Sequence, residues 1–100
     1  MVPIRIYTTP FCSYCVQAKR LLARKKLPYE EIDVAGDDEK REWLTRVTGK
    51  RTVPQIFIGE KAIGGSDDLH RLEGEGKLDG MVQGLPAKDI DAKLRTSPHR

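Results

Sequence analysis

Two spacings of apolar side chains alternate along this chain, one typical of strands and the other of helices. Residues 4–8 (IRIYT) alternate between apolar and polar side chains and include β-branched residues, which predicts a strand that ends before Pro10. Further strands are predicted at 29–34, 55–58 and 61–63. Gly59 and Glu60 join the last two, which predicts a hairpin whose two-residue turn begins with glycine.

Apolar residues at helical spacing follow the first and second strands. The first helix is predicted to begin at Cys12 and to be stopped by Pro28. Its apolar face consists of Cys15, Ala18, Leu21 and Leu22. The second helix is predicted to have the acidic residues 37–39 at its start and Gly49 just after its end. Its apolar face consists of Trp43, Leu44 and Val47.

A third helix follows the hairpin. Ser66 is predicted as its N-cap, because a short hydroxyl side chain can accept a hydrogen bond from the first free N–H groups. Asp67 and Asp68 lie in its first turn, and Leu69 and Leu72 form its buried stripe. Glycines at 74 and 76 end this helix, and a weaker helical segment is predicted at 78–82.

The C-terminal residues form a separate segment. Pro86 is expected at the first position of a last short helix that carries Ile90 and Leu94, with disorder beyond Thr96. We therefore predict one folded domain at 1–84 and a C-terminal extension at 85–100, which is a short helix or disordered.

The order of elements predicts the fold class. Two helical crossovers join parallel strands and an antiparallel hairpin follows, so the order is β-α-β-α-β-β-α. This is an α/β fold with a mixed four-stranded sheet flanked by helices.

Composition excludes several functional classes. The 100 residues are 38% hydrophobic and 33% charged, which is typical of a single globular domain. The net charge of +3 is low for a nucleic-acid-binding protein, and no apolar run is long enough to cross a membrane. The N-terminus has no signal-peptide pattern, so we expect a protein of the cytoplasm.

Cys12 and Cys15 are the only cysteines of the chain, and they lie between the first strand and the first helix. The free N–H groups and partial positive charge of a helix N-terminus favour a thiolate at Cys12. A zinc site needs about four ligands, and only His70 and His99 accompany the thiols. A pair of buried structural cysteines is the other alternative, and the position of Cys12 at a helix start argues against it. A strand, Cys-x-x-Cys and a helix in this order predict a thiol–disulfide oxidoreductase.

Three motifs resemble those of the dithiol glutaredoxins. They are Tyr7-Thr8 before the sequence CSYC at 12–15, the sequence TVPQIFI at 52–58, and GGSDDL at 64–69. The resemblance covers about residues 2–83 and implies the thioredoxin fold, with the topology predicted above.

The resemblance also implies roles for individual residues. Cys12 would be the nucleophile, Cys15 the resolving thiol, and Tyr14 would flank a groove for the co-substrate glutathione. The family proline that matches Pro54 follows a cis peptide bond, and the main chain of Val53 would pair with the cysteinyl part of glutathione.

The remaining implied contacts concern the two ends of glutathione. The N–H groups at Ser66 and the carboxylate of Asp67 would bind its γ-glutamyl end, Arg51 would bind its glycine carboxylate, and Gly65 would allow its backbone to approach closely. The whole implied glutathione site is Tyr14, Arg51, Thr52, Val53, Pro54, Gly65, Ser66 and Asp67.

Two residues depart from the common family pattern and leave alternatives open. Thr9 stands where many relatives have a basic residue, so Arg51 is expected to contribute more to thiolate and carboxylate stabilisation. Ser13 stands where proline is more common, and several serine-containing members bind a [2Fe–2S] cluster between two subunits. Cys12 would then be a cluster ligand and the protein a dimer. A redoxin reduced by a flavoprotein reductase is a third alternative, which the Ser66-Asp67 pair disfavours.

The resemblance therefore implies a glutathione-dependent oxidoreductase. It would reduce protein–glutathione mixed disulfides and protein disulfides, act as a monomer unless a cluster is bound, and need no resident metal.

Overall fold

The computed structural model describes residues 2–84, which form a sheet with helices on both of its faces. The described elements, in chain order, are β1 (Ile4–Thr8), α1 (Ser13–Arg24), β2 (Glu30–Asp33), α2 (Asp38–Thr48), β3 (Gln55–Ile58), β4 (Lys61–Gly64), α3 (Ser66–Gly74) and α4 (Leu78–Val82). This order confirms the predicted elements, including the weaker helical segment at 78–82. The predictions for Pro86, Ile90, Leu94 and Thr96 lie outside the described residues.

The sheet is mixed and has four strands in the order β2-β1-β3-β4. β1 pairs in parallel with β2, with Ile6 opposite Glu31, and antiparallel with β3, with Ile6 opposite Ile56. β3 and β4 form the predicted hairpin, and Gly59 at its turn has a φ of 63°. The predicted mixed four-stranded α/β architecture is therefore confirmed.

Alternation along the strands divides the core between the two faces of the sheet. On one face, Ile4, Ile6, Ile56 and Ile58 pack with buried residues of α1, α3 and α4. On the other face, Tyr7 and Phe57 pack with Leu44 and the partly buried Trp43 of α2. The rings of Trp43 and Phe57 are stacked with centroids 5.9 Å apart. Because helices cover both faces of the sheet, β1 and β3 are largely buried.

The prediction that Val47 belongs to the buried face of α2 is wrong. Val47 is 49% exposed, whereas Leu44 is 3% exposed. The core on this face contains Trp43 and Leu44 but not Val47.

The end of α1 also differs from the prediction, since the helix ends at Arg24 rather than at Pro28. Lys26 adopts a left-handed conformation, with a φ of 59°. The N–H of Leu27 then donates to the carbonyl of Leu22, and that of Lys26 to the carbonyl of Ala23, both at 2.9 Å. This hydrogen-bonding pattern ends a helix without proline.

The N-cap of α3 is Gly65, not Ser66 as predicted. Gly65 has the extended backbone that an N-cap requires, and its own N–H donates to Asp68 Oδ2 at 3.0 Å. Ser66 is the first helical residue, and its Oγ lies 3.4 Å from His70 Nδ1. The helix therefore begins one residue earlier than the hydroxyl side chain indicated.

None of the helices between residues 2 and 84 combines the length and the apolar character that a membrane crossing requires.

Candidate active site

The two cysteines lie at the first turn of α1, which a short loop connects to the end of β1. Cys12 is the N-cap residue, and its Sγ accepts the main-chain N–H of Cys15 at 3.2 Å. The carbonyl of Cys12 accepts the N–H of Val16 at 3.1 Å and so begins the helix. A sulfur atom therefore occupies the position where an oxygen acceptor usually caps a helix. In this position it faces the positive end of the helix dipole.

The two sulfur atoms differ in their exposure to solvent. Cys12 is partly exposed, whereas Cys15 is 2% exposed, and both are free thiols. Burial, reinforced by the hydrogen bond with Cys12, raises the pKa of Cys15 to about 12. A backbone hydrogen bond at Thr9 and the positive charge of Lys19 act in the opposite direction on the pKa of Cys15. Cys12 is thus accessible to a reagent, and Cys15 is kept as a protonated thiol.

The loop before β3 lies directly against Cys12. Cys12 Sγ is 3.7 Å from the carbonyl oxygen of Val53, and the Val53–Pro54 peptide bond is cis, which confirms the implied conformation. The buried side chain of Gln55 holds this loop, because its Nε2 donates to the carbonyl oxygen of Thr52 at 2.8 Å. The loop therefore places the main-chain carbonyl of Val53 beside the partly exposed sulfur.

The start of α3 also lies against this loop. A Cβ atom placed on Gly65 would be only 3.3 Å from the carbonyl oxygen of Pro54, so a larger residue would crowd this contact. The structure therefore brings Cys12, Val53, Pro54 and Gly65 together through consecutive contacts.

The other predicted glutathione-site residues take no part in these contacts. Four of them have exposed side chains: Tyr14, Arg51, Thr52 and Asp67. The carbonyl oxygen of Arg51 accepts a hydrogen bond from Arg41 Nη2 at 3.2 Å. Ser66 is 3% exposed, so its hydroxyl is not presented to solvent.

Two features of the site escaped the sequence analysis. One is Gln55, whose polar side chain in an otherwise apolar strand was the available signal. The other is a contact among Thr8, Lys19 and Glu31, in which Glu31 Oε2 accepts from both Thr8 Oγ1 and Lys19 Nζ at 2.9 Å. These residues belong to β1, α1 and β2, so no spacing along the chain brings them together.

Proteins similar to this chain in sequence are glutaredoxins. The glutaredoxin family model matches residues 4–63. A glutaredoxin of Pseudomonas aeruginosa is 52% identical over 82 residues, which is 82% of this chain and 98% of that protein.

Solved structures agree as well. The solution structure of a Brucella melitensis glutaredoxin is 50% identical, with a TM-score of 0.75, over 82% of this chain and 89% of the other. A buckwheat glutaredoxin–glutathione complex is 32% identical, with a TM-score of 0.79, over 83% of this chain and 78% of the other. With its thioredoxin-type sheet, its cysteine pair at the start of a helix and these relatives, the chain belongs to the glutaredoxin family.

Proposed function

We propose that this glutaredoxin reduces protein–glutathione mixed disulfides and protein disulfides, with Cys12 as the nucleophile and glutathione as co-substrate. The family is one of glutathione-dependent disulfide oxidoreductases. The observation that carries the assignment of Cys12 is the asymmetry of the pair. The partly exposed Cys12 sulfur accepts an N–H at the start of α1, while Cys15 is buried. Such an environment favours an anionic, accessible sulfur at Cys12.

Reduction of a mixed disulfide uses Cys12 alone. The Cys12 thiolate attacks the glutathionyl sulfur, so a new S–S bond forms on Cys12 and the protein thiolate leaves and takes up a proton. The thiolate of a second glutathione then attacks the glutathionyl sulfur, which releases glutathione disulfide and regenerates the Cys12 thiolate. Cys15 takes no part in this route.

Reduction of a protein disulfide uses both cysteines. Cys12 attacks one sulfur and forms a mixed disulfide with the substrate, and Cys15 then attacks Cys12 to release the second substrate thiol. The Cys12–Cys15 disulfide that results is reduced by two glutathione molecules.

Charge matching supports a glutathione site across residues 52–54 and the start of α3. The first N–H groups of α3 are free of helical partners and attract a carboxylate. The exposed carboxylate of Asp67 lies in the same turn and can bind an ammonium group. The γ-glutamyl end of glutathione carries both of these charges. Tyr14 and Arg51 are exposed and complete the proposed site, and Arg51 would bind the glycine carboxylate.

A coupled assay tests the assignment of the two cysteines. Glutathionylated protein is supplied with glutathione, and glutathione disulfide is followed by NADPH oxidation through glutathione reductase. We expect Cys12→Ser to abolish this activity. The matched variant Cys15→Ser should retain it and lose most reduction of protein disulfides. Full activity of Cys12→Ser would overturn the proposal.

The proposed chemistry also indicates the substrates, the oligomeric state and the cellular compartment. We propose that glutathionylated and disulfide-bonded proteins are the substrates and that the protein works as a monomer in a reducing compartment such as the cytoplasm. We also propose that the catalytic domain is residues 1–84 and that 85–100 are an extension.

The cluster-binding alternative is a separate hypothesis. Within residues 2–84, no three His, Cys, Asp or Glu side chains form a metal-ligating group. In this hypothesis Cys12 shares a cluster with another chain and with glutathione thiols. Visible absorption after supply of iron, sulfide and glutathione, together with a change from monomer to dimer, would support it.

A further inference from the structure

A cleft of about 180 Å³ lies beside the cysteine pair, next to β2. Its lining includes Cys15, Lys19 and Glu31. Lys19 follows Cys15 by four residues, so the two side chains lie on the same face of α1, one turn apart. Lys19 and the buried thiol of Cys15 therefore line the same cleft, and Cys15 is the thiol that attacks the mixed disulfide in the second step of protein-disulfide reduction.

The position of Lys19 is fixed by contacts with two strands. Its Nζ lies 2.9 Å from Glu31 Oε2, and Thr8 Oγ1 donates to the same oxygen at 2.9 Å. The contact with Lys19, followed by that with Thr8, lowers the pKa of Glu31, and the contact with Glu31 raises the pKa of Lys19. Both side chains are therefore charged at neutral pH, and the ammonium group is held at the wall of the cleft.

The ammonium group of Lys19 partly offsets the effect of burial on the Cys15 thiol. Cys15 must lose its proton before it can attack a mixed disulfide, yet burial raises its pKa to about 12. The charge of Lys19 lowers the pKa of Cys15. The carboxylates of Glu31 and Asp33 also line the cleft, and Glu31 is engaged by Lys19 and Thr8.

We infer that Lys19 is a positioning residue for the resolving step, where it supports the Cys15 thiolate from a place fixed by Glu31 and Thr8. The inference rests on the proposed function, since it needs a substrate held on Cys12. In this step the Cys15 thiol loses its proton and attacks Cys12 Sγ. The Cys12–Cys15 bond forms, the bond from Cys12 to the substrate sulfur breaks, and the departing thiolate takes up a proton. The Cys15 sulfur is oxidised and the substrate sulfur is reduced.

The aromatic disulfide dithiobis(nitrobenzoate) separates the two steps in one stopped-flow trace. Attack by Cys12 releases a first coloured nitrothiobenzoate, and attack by Cys15 on the resulting mixed disulfide releases a second. In Lys19→Met we expect the second phase to slow and the first to match that of Arg20→Met. Arg20 is the exposed neighbour on α1, and its substitution removes the same surface charge.

The size of the effect follows from two opposing trends. For each unit by which the pKa of Cys15 rises, its thiolate fraction at neutral pH falls about tenfold. The more basic thiolate is, however, roughly threefold more nucleophilic. We therefore expect the second phase of Lys19→Met to be slower than that of Arg20→Met, by about threefold for a rise of one unit in the pKa of Cys15. Lys19→Arg keeps the charge and should restore most of the rate.

Turnover assays give a second readout. Lys19→Met should slow reduction of a protein disulfide and leave glutathione-dependent deglutathionylation unchanged, because that route bypasses Cys15. Equal second phases in Lys19→Met and Arg20→Met, or equal loss of both activities, would overturn the inference and leave the proposed function intact. If the wild-type protein released only one nitrothiobenzoate per molecule, that result would instead count against the proposed function.

Discussion

The Sγ atom of Cys12 accepts the main-chain N–H of Cys15 at 3.2 Å, although the thiol of Cys15 is itself buried. The sulfur of Cys12 is therefore partly exposed to solvent and accepts a hydrogen bond from the backbone of Cys15. The thiol of Cys15 is buried. Two identical side chains three residues apart consequently have different chemistry.

This asymmetry predicts selective alkylation. At neutral pH iodoacetamide should label Cys12 first, because burial raises the pKa of Cys15 to about 12 and limits access to it. Because this pKa is about three units above the ordinary value for cysteine, the thiolate fraction of Cys15 is roughly a thousandfold lower. Peptide mapping by mass spectrometry measures both rates, and in urea the two cysteines should react at similar rates. Faster labelling of Cys15 in the folded protein would contradict the assignment.

Asp67 and Asp68 are predicted to have separate effects. Asp67 is exposed, so Asp67→Ala should raise the KM for glutathione by up to about fivefold, which is the range for an exposed charge pair. The temperature of unfolding should hardly change. Steady-state kinetics at varied glutathione measures the first effect, and an unchanged KM would remove Asp67 from the site.

Asp68 instead has a structural role, because its carboxylate accepts the N–H of Gly65 at 3.0 Å and forms an ion pair with Arg71 at 3.1 Å. Asp68→Ala should lower the free energy of unfolding by about 0.5–2 kcal/mol, as loss of a helix cap does. Asp68→Asn keeps an acceptor and should retain most of the stability in urea titrations. If Asn and Ala were equally destabilising, the charge of Asp68 and not its hydrogen bond would be the important property.

Gly64 is predicted to tolerate no side chain. Its φ is 111°, and a Cβ atom there would collide with the carboxylate of Asp68. Gly64→Ala should cost at least about 1–3 kcal/mol of unfolding free energy from the backbone conformation alone. Gly74 is a matched control, since no atom lies within 4 Å of a Cβ at that position. Gly74→Ala should be neutral or slightly stabilising in the same thermal unfolding experiment.

Lys25 is predicted to make stability dependent on alkaline pH. Its Nζ lies 2.9 Å from Glu73 and 3.0 Å from Asp79, so it joins the end of α1 to α3 and α4. Burial lowers the pKa of Lys25, but the two carboxylates outweigh burial and raise it above 10.5. The contribution is therefore complete below about pH 10.5 and is lost as the pH rises through the folded-state pKa.

Urea unfolding of Lys25→Met measures this contribution. We expect a loss of about 1–2 kcal/mol at neutral pH, between the values for exposed and buried ion pairs, and a smaller loss at strongly alkaline pH. Lys26→Met, at an exposed neighbouring position, should cost little at any pH. A loss for Lys25→Met that stayed constant up to strongly alkaline pH would contradict the role of its charge.

The sequence was sufficient for features that depend on local periodicity. The alternation at 4–8 and the apolar spacing from Cys15 to Leu22 predicted β1 and the buried face of α1, and both are observed. The ends of helices were less predictable, because the left-handed conformation of Lys26 and the capping of Gly65 by Asp68 depend on backbone conformation as well as residue type.

Contacts between distant residues could not be predicted from spacing. Thr8, Lys19 and Glu31 meet because β1 and β2 pair in a particular register and α1 packs beside them. Gln55 was visible as a polar residue in an apolar strand, but its hydrogen bond to Thr52 follows from the turn of the loop before β3.

The strand order has a consequence for how copies of this protein behave at high concentration. β2 lies at one edge of the sheet, and three of its four residues, Glu30, Glu31 and Asp33, are exposed carboxylates. A strand at an edge can pair with the same strand of another molecule and so begin aggregation. Here such pairing would bring several negative charges together at each contact. The acidic edge thus disfavours edge-to-edge pairing of two copies, while its Glu31 also holds Lys19 beside the cysteine pair.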